Sequence, residues 1–413
     1  MDDAYDVLVL GGGAAGVAAA RRLADAGASV LIVEARDRLG GRGLTNIAAG
    51  LPLDMGCGWL HSADHNIWRA QAERMGFHVE HAPAPWNRQS GSQGFTSAEQ
   101  EDFRAAFGRF QARVDAEAEQ SEARAASFFL EADCRWNPLL NAVFTYISGA
   151  ALDCIDARDY ARYDDSGINW RVREGYGALI AAYGAGLPVL FDAPVAELDH
   201  SGAVLRVTTA KGVLNAKAAI VTLPTSVLPR LKLTPDLPEK RAAAEGLPLG
   251  HAEKLFFALA KPEEFPADGH WFGHIDRVDT GSYHLRPLGR PIVECYFGGN
   301  LAEQLARAGA AAMADFALQE LGGLIGASAP RRLAPLAASH WATEPHALGS
   351  YSYAKPGRAE DRAVLAASVD NRVFFAGEAC SRERYSTAHG AFETGVTAAE
   401  QALSALGLHR AGL

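Results

Sequence analysis

The chain has 413 residues, 48% of them hydrophobic and 21% charged, with a formal net charge of −10. That is ordinary globular composition, long enough for two domains or one large divided one. Basic residues are scattered, which speaks against nucleic acid or an anionic membrane as partner, and no apolar run approaches membrane-spanning length.

Residues 5–10, "YDVLVL", form a short apolar run ending in glycines. The helical pattern "AAGVAAARRLADAGA" follows, with Gly27 near its C-cap, and then "SVLIVEAR", a second buried strand. This is a βαβ unit. Residues 61–135 read as helical, with charged faces. "LPVLFDAPVAEL", "AVLRVTTA" and "VLNAKAAIVTLP" read as strands, with Ser201-Gly202 and Lys211-Gly212 as hairpin punctuation. "HAEKLFFALA", "HWFGHI", "GSYHLRP" and "PIVECYFGG" suggest a second sheet, and 301–325 a helix. "NRVFFAGEAC" is a last strand running into a glycine turn, and "HGAFETGVTAAEQALSAL" is a closing amphipathic helix followed by a tail. No internal repeat or low-complexity linker interrupts the chain.

Gly11-Gly12-Gly13-Ala14-Ala15-Gly16 fits G-x-G-x-x-G between a strand and a helix, with Glu34 at the end of the next strand. That context makes it a dinucleotide fingerprint. Gly11 allows the tight turn, Gly13 lets a pyrophosphate approach the helix N-terminus, and Gly16 permits close helix–sheet packing. Glu34 is placed to bind a ribose diol. The motif alone does not choose between NAD and FAD.

The continuation, "EARDRLGGRGLT", resembles the extended flavin fingerprint of the flavin-containing amine oxidase superfamily, which includes monoamine and polyamine oxidases and histone lysine demethylases. The resemblance runs on through "LDMGCGWLHS", "DAPVAEL", "SHWATEPHALGSYSYAKPG" and "RVFFAGEACSRERYSTAHGAFETG". It implies an α/β fold: a Rossmann-type FAD-binding domain (1–80, 186–245 and 340–413) interleaved with a substrate domain of mixed sheet plus helices (81–185 and 246–339). It implies FAD contacts from Glu34, Ala35, Arg36, Gly41, Arg42, Gly56, Cys57, Gly58, Trp59, Val195, Trp341, Gly377, Glu378, Thr387 and Ala388. Arg42 would neutralise the diphosphate, Val195 would contact adenine through its backbone, and Glu378 would bind the ribityl or ribose side. Residues 80–185 and 270–335 carry little of the resemblance.

Lys254, in the apolar run "HAEKLFFALA", is either an edge residue facing water or a buried cation with partners. The resemblance favours the second: in relatives a lysine here hydrogen-bonds a water that bridges to flavin N5. The implied reaction is oxidation of a C–N bond, with hydride passing to N5, hydrolysis of the imine, and O2 taking the electrons to give H2O2. Tyr351 matches one position of an aromatic cage around the amine, and Thr387 stands where monoamine oxidases carry a tyrosine. His61 and Trp59, in "WLHS", are candidate substrate contacts. Ser350 stands where covalent relatives carry cysteine, so FAD is expected to be non-covalent. Rivals are an amine dehydrogenase on the same fold, an L-amino-acid oxidase, which would need a carboxylate-binding arginine such as Arg286, a desaturase or protoporphyrinogen-oxidase-like enzyme, and a flavin-binding protein without turnover.

Five cysteines (Cys57, Cys134, Cys154, Cys295, Cys380) show no C-x-x-C, and the histidines show no ligand spacing, so neither a disulfide framework nor a metal site is expected. The acidic start "MDDAYD" lacks the basic region of a signal peptide. The expectation is a soluble cytoplasmic monomer or homodimer acting on a small-molecule amine and O2.

Overall fold

The computed structural model describes residues 4–87, 89–119, 122–326 and 328–408. The tail expected after the closing helix lies outside them. Thirteen strands build two large sheets. The first contains β1 (Tyr5–Leu10), β2 (Val30–Val33), β3 (Val189–Leu190), β4 (Val195–Asp199), β5 (Leu205–Thr209), β6 (Gly212–Val221), β7 (Lys232–Thr234) and, from the far end of the chain, β13 (Val373–Phe375). Its order is β7-β4-β5-β6-β1-β2-β3, with β13 also on β6. β1 runs parallel to β2 and β6. The turns at Ser201-Gly202 and Lys211-Gly212 close antiparallel pairs.

β1 and β2 are buried along almost their whole length, as expected of parallel strands covered on both faces. Helices α1 (Ala14–Asp25) and α6 (Ala388–Leu406) share one face of this sheet, in a cluster that includes Val17, Ala20, Leu23, Phe392 and Ala399. Glycine makes the approach possible: a Cβ at Gly395 would lie 2.2 Å from the Ala15 carbonyl oxygen.

The second sheet has order β9-β10-β11-β8-β12, from β8 (Ala252–Leu259), β9 (Gly269–Phe272), β10 (Ser282–Leu285), β11 (Ile292–Gly298) and β12 (Leu333–Ala338). Its two faces differ because side chains alternate. Leu255, Phe257, Tyr283, Leu285, Val293, Cys295 and Phe297 point to one side, against α4 (Gly299–Ala308) and α5 (Ala310–Ile325). The other side carries two cross-strand rows, Phe272–Ser282–Tyr296–Lys254 and His270–His284–Glu294–Phe256. Two more helices close over this polar face: α2 (Ser97–Glu117), started by a Thr96/Glu99 capping box, and α3 (Asn137–Ser148), ended by Gly149 in the left-handed region.

Two expectations need correction. Residues 61–135 are not one helical stretch: α-helix is confined to Ile67–Arg74 and α2, with extended and turn segments between them. "LPVLFDAPVAEL" is not one strand either; it breaks into β3 and β4 around Asp192, whose φ is +48°.

Candidate active site

A cavity of about 1200 Å³ runs from the glycine fingerprint to the polar face of the second sheet. At its first end, α1 starts at Gly13 with no side-chain cap, and its first internal bond is Val17 N–H to Gly13 O. The N–H groups of the first turn are therefore open to an anion. A Cβ on Gly13 would meet only Gly41 Cα, at 3.8 Å, so this glycine borders open space that a bound group can fill. Gly11, Ala14, Ala15, Glu34, Ala35, Arg36, Gly41 and Val195 line the same end. Glu34 is buried and its carboxylate accepts from Gly12 N–H (2.6 Å) and Arg36 N–H (2.9 Å), which fixes it facing the fingerprint. Gly16 alone among the proposed site residues does not line the cavity. A Cβ there would lie 1.9 Å from Gly11 O, so its part is the helix–strand contact, not the cofactor.

Midway, Arg42 Nη1 donates to Glu378 Oε1 (2.9 Å) and to Ser350 O (2.9 Å). Its Nε and Nη2 make no hydrogen bond among the described residues and remain available to a diphosphate. Glu378 Oε2 accepts from Ser352 Oγ (2.6 Å) and Ser386 N–H (3.0 Å). Burial raises the Glu378 carboxyl, but Arg42 and these donors outweigh it and hold it below the usual range. Gly56, Cys57, Gly58, Trp341, Gly377 and Ala388 complete the passage. Trp341 Nε1 donates to Met55 O (2.8 Å), pinning the "LDMGCGW" segment. Burial pushes the Cys57 thiol up to about 12, so it stays protonated and a poor nucleophile. Ser350 Oγ is spent on the backbone of Ala252.

At the far end, β8 has a neighbour on each side, so Lys254 is no edge residue. It is buried, and its donors are met by protein rather than by water alone: Nζ donates to Asp54 O (2.9 Å) and pairs with Glu294 Oε1 (3.0 Å). Glu294 Oε2 accepts from Arg171 Nη2 (2.7 Å), and Arg171 lies over the Trp59 ring at 4.1 Å. Burial raises the Glu294 carboxyl, yet the two cations prevail and hold it well below the carboxylate range. Arg286, the arginine singled out from sequence, is elsewhere, donating to Phe265 O. Arg171, His284 and Glu294 escaped the sequence reading. The signal was there: Glu294 interrupts "PIVECYFGG" as Lys254 interrupts "HAEKLFFALA", with opposite charge.

Tyr351 OH donates to Tyr146 O, so the 3.0 Å contact with Tyr296 OH must be donated by Tyr296. Thr387 caps α6, its Oγ1 accepting from Gly390 N–H (3.0 Å) and donating to Arg384 O (2.6 Å). His61 Nδ1 lies 2.6 Å from Asn169 Oδ1, an acceptor, so Nδ1 carries the proton and Nε2 keeps a lone pair. Burial lowers the His61 pKa despite Asp165 and Asn169, keeping the ring neutral at pH 7.

The family model for "Flavin containing amine oxidoreductase" matches residues 14–110 and 79–403. The chain belongs to that family. It is an FAD-dependent oxidoreductase acting on amines. "Polyamine oxidase 2" of Arabidopsis thaliana is 29% identical over 441 residues, 95% of this chain and 87% of the relative. "Polyamine oxidase 3" of Oryza sativa subsp. japonica is 28% identical, over 95% of this chain and 88% of its own. "Lysine-specific histone demethylase 1 homolog 2" of Arabidopsis thaliana is 26% identical over 98% of this chain but 59% of its own length. A putrescine oxidase mutant redesigned in its cofactor binding superposes with a TM-score of 0.79 over 97% of this chain and 99% of that one, at 19% identity, a likeness of fold. Among the described residues no cluster could hold a metal ion and no helix is long and apolar enough to cross a membrane.

Proposed function

We propose that this amine oxidase takes a small or polyamine substrate at the Lys254 end of the cavity, with FAD held non-covalently between the glycine fingerprint and the second sheet. The observation that carries this is the continuous cavity joining the two. When bound, FAD supplies the electron acceptor for the C–N bond and passes electrons to O2, giving H2O2 and an imine that hydrolyses to a carbonyl. The protein binds and orients. Tyr351 and Thr387 flank the entry to the reacting end. His61 Nε2 can accept an N–H of the amine, which must be neutral to react. Lys254 is held by one hydrogen bond to Asp54 O and an ion pair with Glu294, at the cavity wall. The first sheet with α1 and α6 forms the FAD domain, and the second sheet with α2–α5 the substrate domain. The uncharged buried thiol of Cys57 and the occupied hydroxyl of Ser350 support non-covalent flavin. Five free thiols support a cytoplasmic protein, monomeric or homodimeric.

The test is anaerobic bleaching of the bound flavin by monoamines, diamines, polyamines, N-methyl amines and amino acids, followed by peroxide release in air. Bleaching by none of them would falsify the proposal; bleaching with slow reoxidation in air would make the enzyme a dehydrogenase. Acid precipitation separates the flavin question: yellow colour should stay in the supernatant.

A second reading, an amino-acid oxidase, is favoured by one observation. Arg171 stands over Trp59 on the cavity wall and, among the described residues, hydrogen-bonds only through Nη2, so part of its fork is free for a carboxylate. A panel pairing phenylalanine with phenethylamine distinguishes the two.

A further inference from the structure

Three buried charged side chains meet at the reacting end of the cavity: Lys254, Glu294 and Arg171. They come from different segments and share one carboxylate, whose Oε1 faces Lys254 at 3.0 Å and Oε2 faces Arg171 at 2.7 Å. A buried ion triad is weak as a stabilising device, because desolvation offsets its Coulomb attraction. An apolar set of similar volume would serve stability as well. The geometry also does something a core does not need. An ammonium has three N–H donors; Asp54 O takes one at 2.9 Å, and Glu294 stands beside the ammonium as its ion-pair partner at 3.0 Å. The ammonium is thus held by one hydrogen bond and one ion pair, on a side chain that lines the cavity.

We infer that Glu294 is a positioning residue, which, clamped by Arg171, holds Lys254 in place as the charged ammonium presented to the reacting chemistry. This rests on the proposed role of Lys254. The other titratable groups around Lys254 do not compete for that part. The Asp54 carboxylate is taken up by Thr45 Oγ1 (2.5 Å) and the Tyr176 and Gly177 N–H groups. Cys57 and Tyr296 are protonated, with burial raising each to about 12. His61 and His284 are held neutral by burial. His284 Nδ1 faces Arg171 Nη2 at 3.3 Å, so it accepts there and adds no charge. Trp59 in turn fixes the plane of Arg171. The order of support is therefore Trp59, Arg171, Glu294, Lys254.

The experiment uses the FAD-loaded enzyme and two pH series: the rate of flavin reoxidation by O2, and the equilibrium affinity for sulfite, whose anionic flavin adduct is favoured by a cation nearby. A buried ammonium without its counter-charge gives up its proton more readily. In Glu294→Gln the basic limb of both series should therefore move at least one pH unit lower, and Glu294→Asp should recover part of the shift. Lys254→Met should abolish that limb, and Glu294→Gln added to it should change nothing further. An unmoved limb in Glu294→Gln, or a Glu294 effect that persists in full on the Lys254→Met background, overturns the inference. If Lys254→Met itself behaves as wild type in both series, the reading of Lys254 falls and takes this inference with it, a distinct result. Should Glu294→Gln fail to bind FAD, the double variant Arg171→Met/Glu294→Gln removes the stranded cation, and the same shift is expected or the inference fails.

Discussion

At Gly56 a Cβ would lie 1.8 Å from the carbonyl oxygen of Arg42, so the backbone there can turn beneath the cavity only without a side chain. Gly56→Ala should express but lose bound FAD, read as the 450 nm absorbance per protein. Lys254→Met should keep its FAD, because no fingerprint residue is touched, yet slow at least one half-reaction by about two orders of magnitude or more in stopped-flow traces, the scale expected of a lost positioned proton or charge. Thr387→Tyr should narrow the mouth beside Tyr351 and shift preference from secondary or bulky amines to primary ones; an unchanged ranking of kcat/KM counts against a half-built cage. These residues differ in how visible they were in the sequence. Gly56 and Lys254 were reached through the family resemblance of the short stretches that hold them; the run around Lys254 by itself left an edge residue open. The partners of Lys254 were not reached, because Glu294 and Arg171 meet it only through strand register and the fold of a distant segment.

The strands of the second sheet were legible where apolar residues run together, as in β8 and β11. β12 was not, since "LAPLAA" has no β-branched residue and carries Pro335, which offers the ladder no N–H. It pairs with β8 across a register shift at Phe256/Phe257, and that pairing moves Lys254 from a possible edge to the interior. Helix α2 was legible as a helix, but its function lies in its spacing. Gln100, Phe103, Phe107, Gln111 and Asp115 recur every three or four residues and, with Arg104, line the cavity, one stripe along its wall. The helix depends on its start. Thr96→Ala removes the Oγ1 acceptor for Glu99 N–H and the Oγ1 donor to Glu99 Oε2, leaving only the backbone half of the box, which should cost about 1 kcal/mol. A lower urea midpoint with unaltered flavin spectrum is the expected result.

Across the whole molecule, acid should be more damaging than base. Burial lowers His270 and His389 to about 3, against about 6.5 in an unfolded chain. The unfolded state binds their protons first, so their neutral burial costs nothing above about pH 6.5, and stability falls as pH drops from there toward 3. Glu294, held low by its cations, adds to the loss once pH passes below the unfolded carboxylate range near 4.3. Thermal midpoints should be level near neutrality and decline below it, with His270→Gln showing a shallower decline. FAD should raise the midpoint in proportion to the logarithm of its free concentration. The overall architecture was readable because the βαβ start is local, whereas the cavity is assembled from residues as far apart as Gly11 and Ala391. That separation bears on how the protein is made. A ribosome delivers β1, α1 and β2 first, but the surface of α1 that packs on α6, and the β6 edge that receives β13, wait for nearly the entire chain. The apolar faces of α1 and β6 therefore stay uncovered until α6 and β13 are added, and the cavity is complete only once Ala391 is in place.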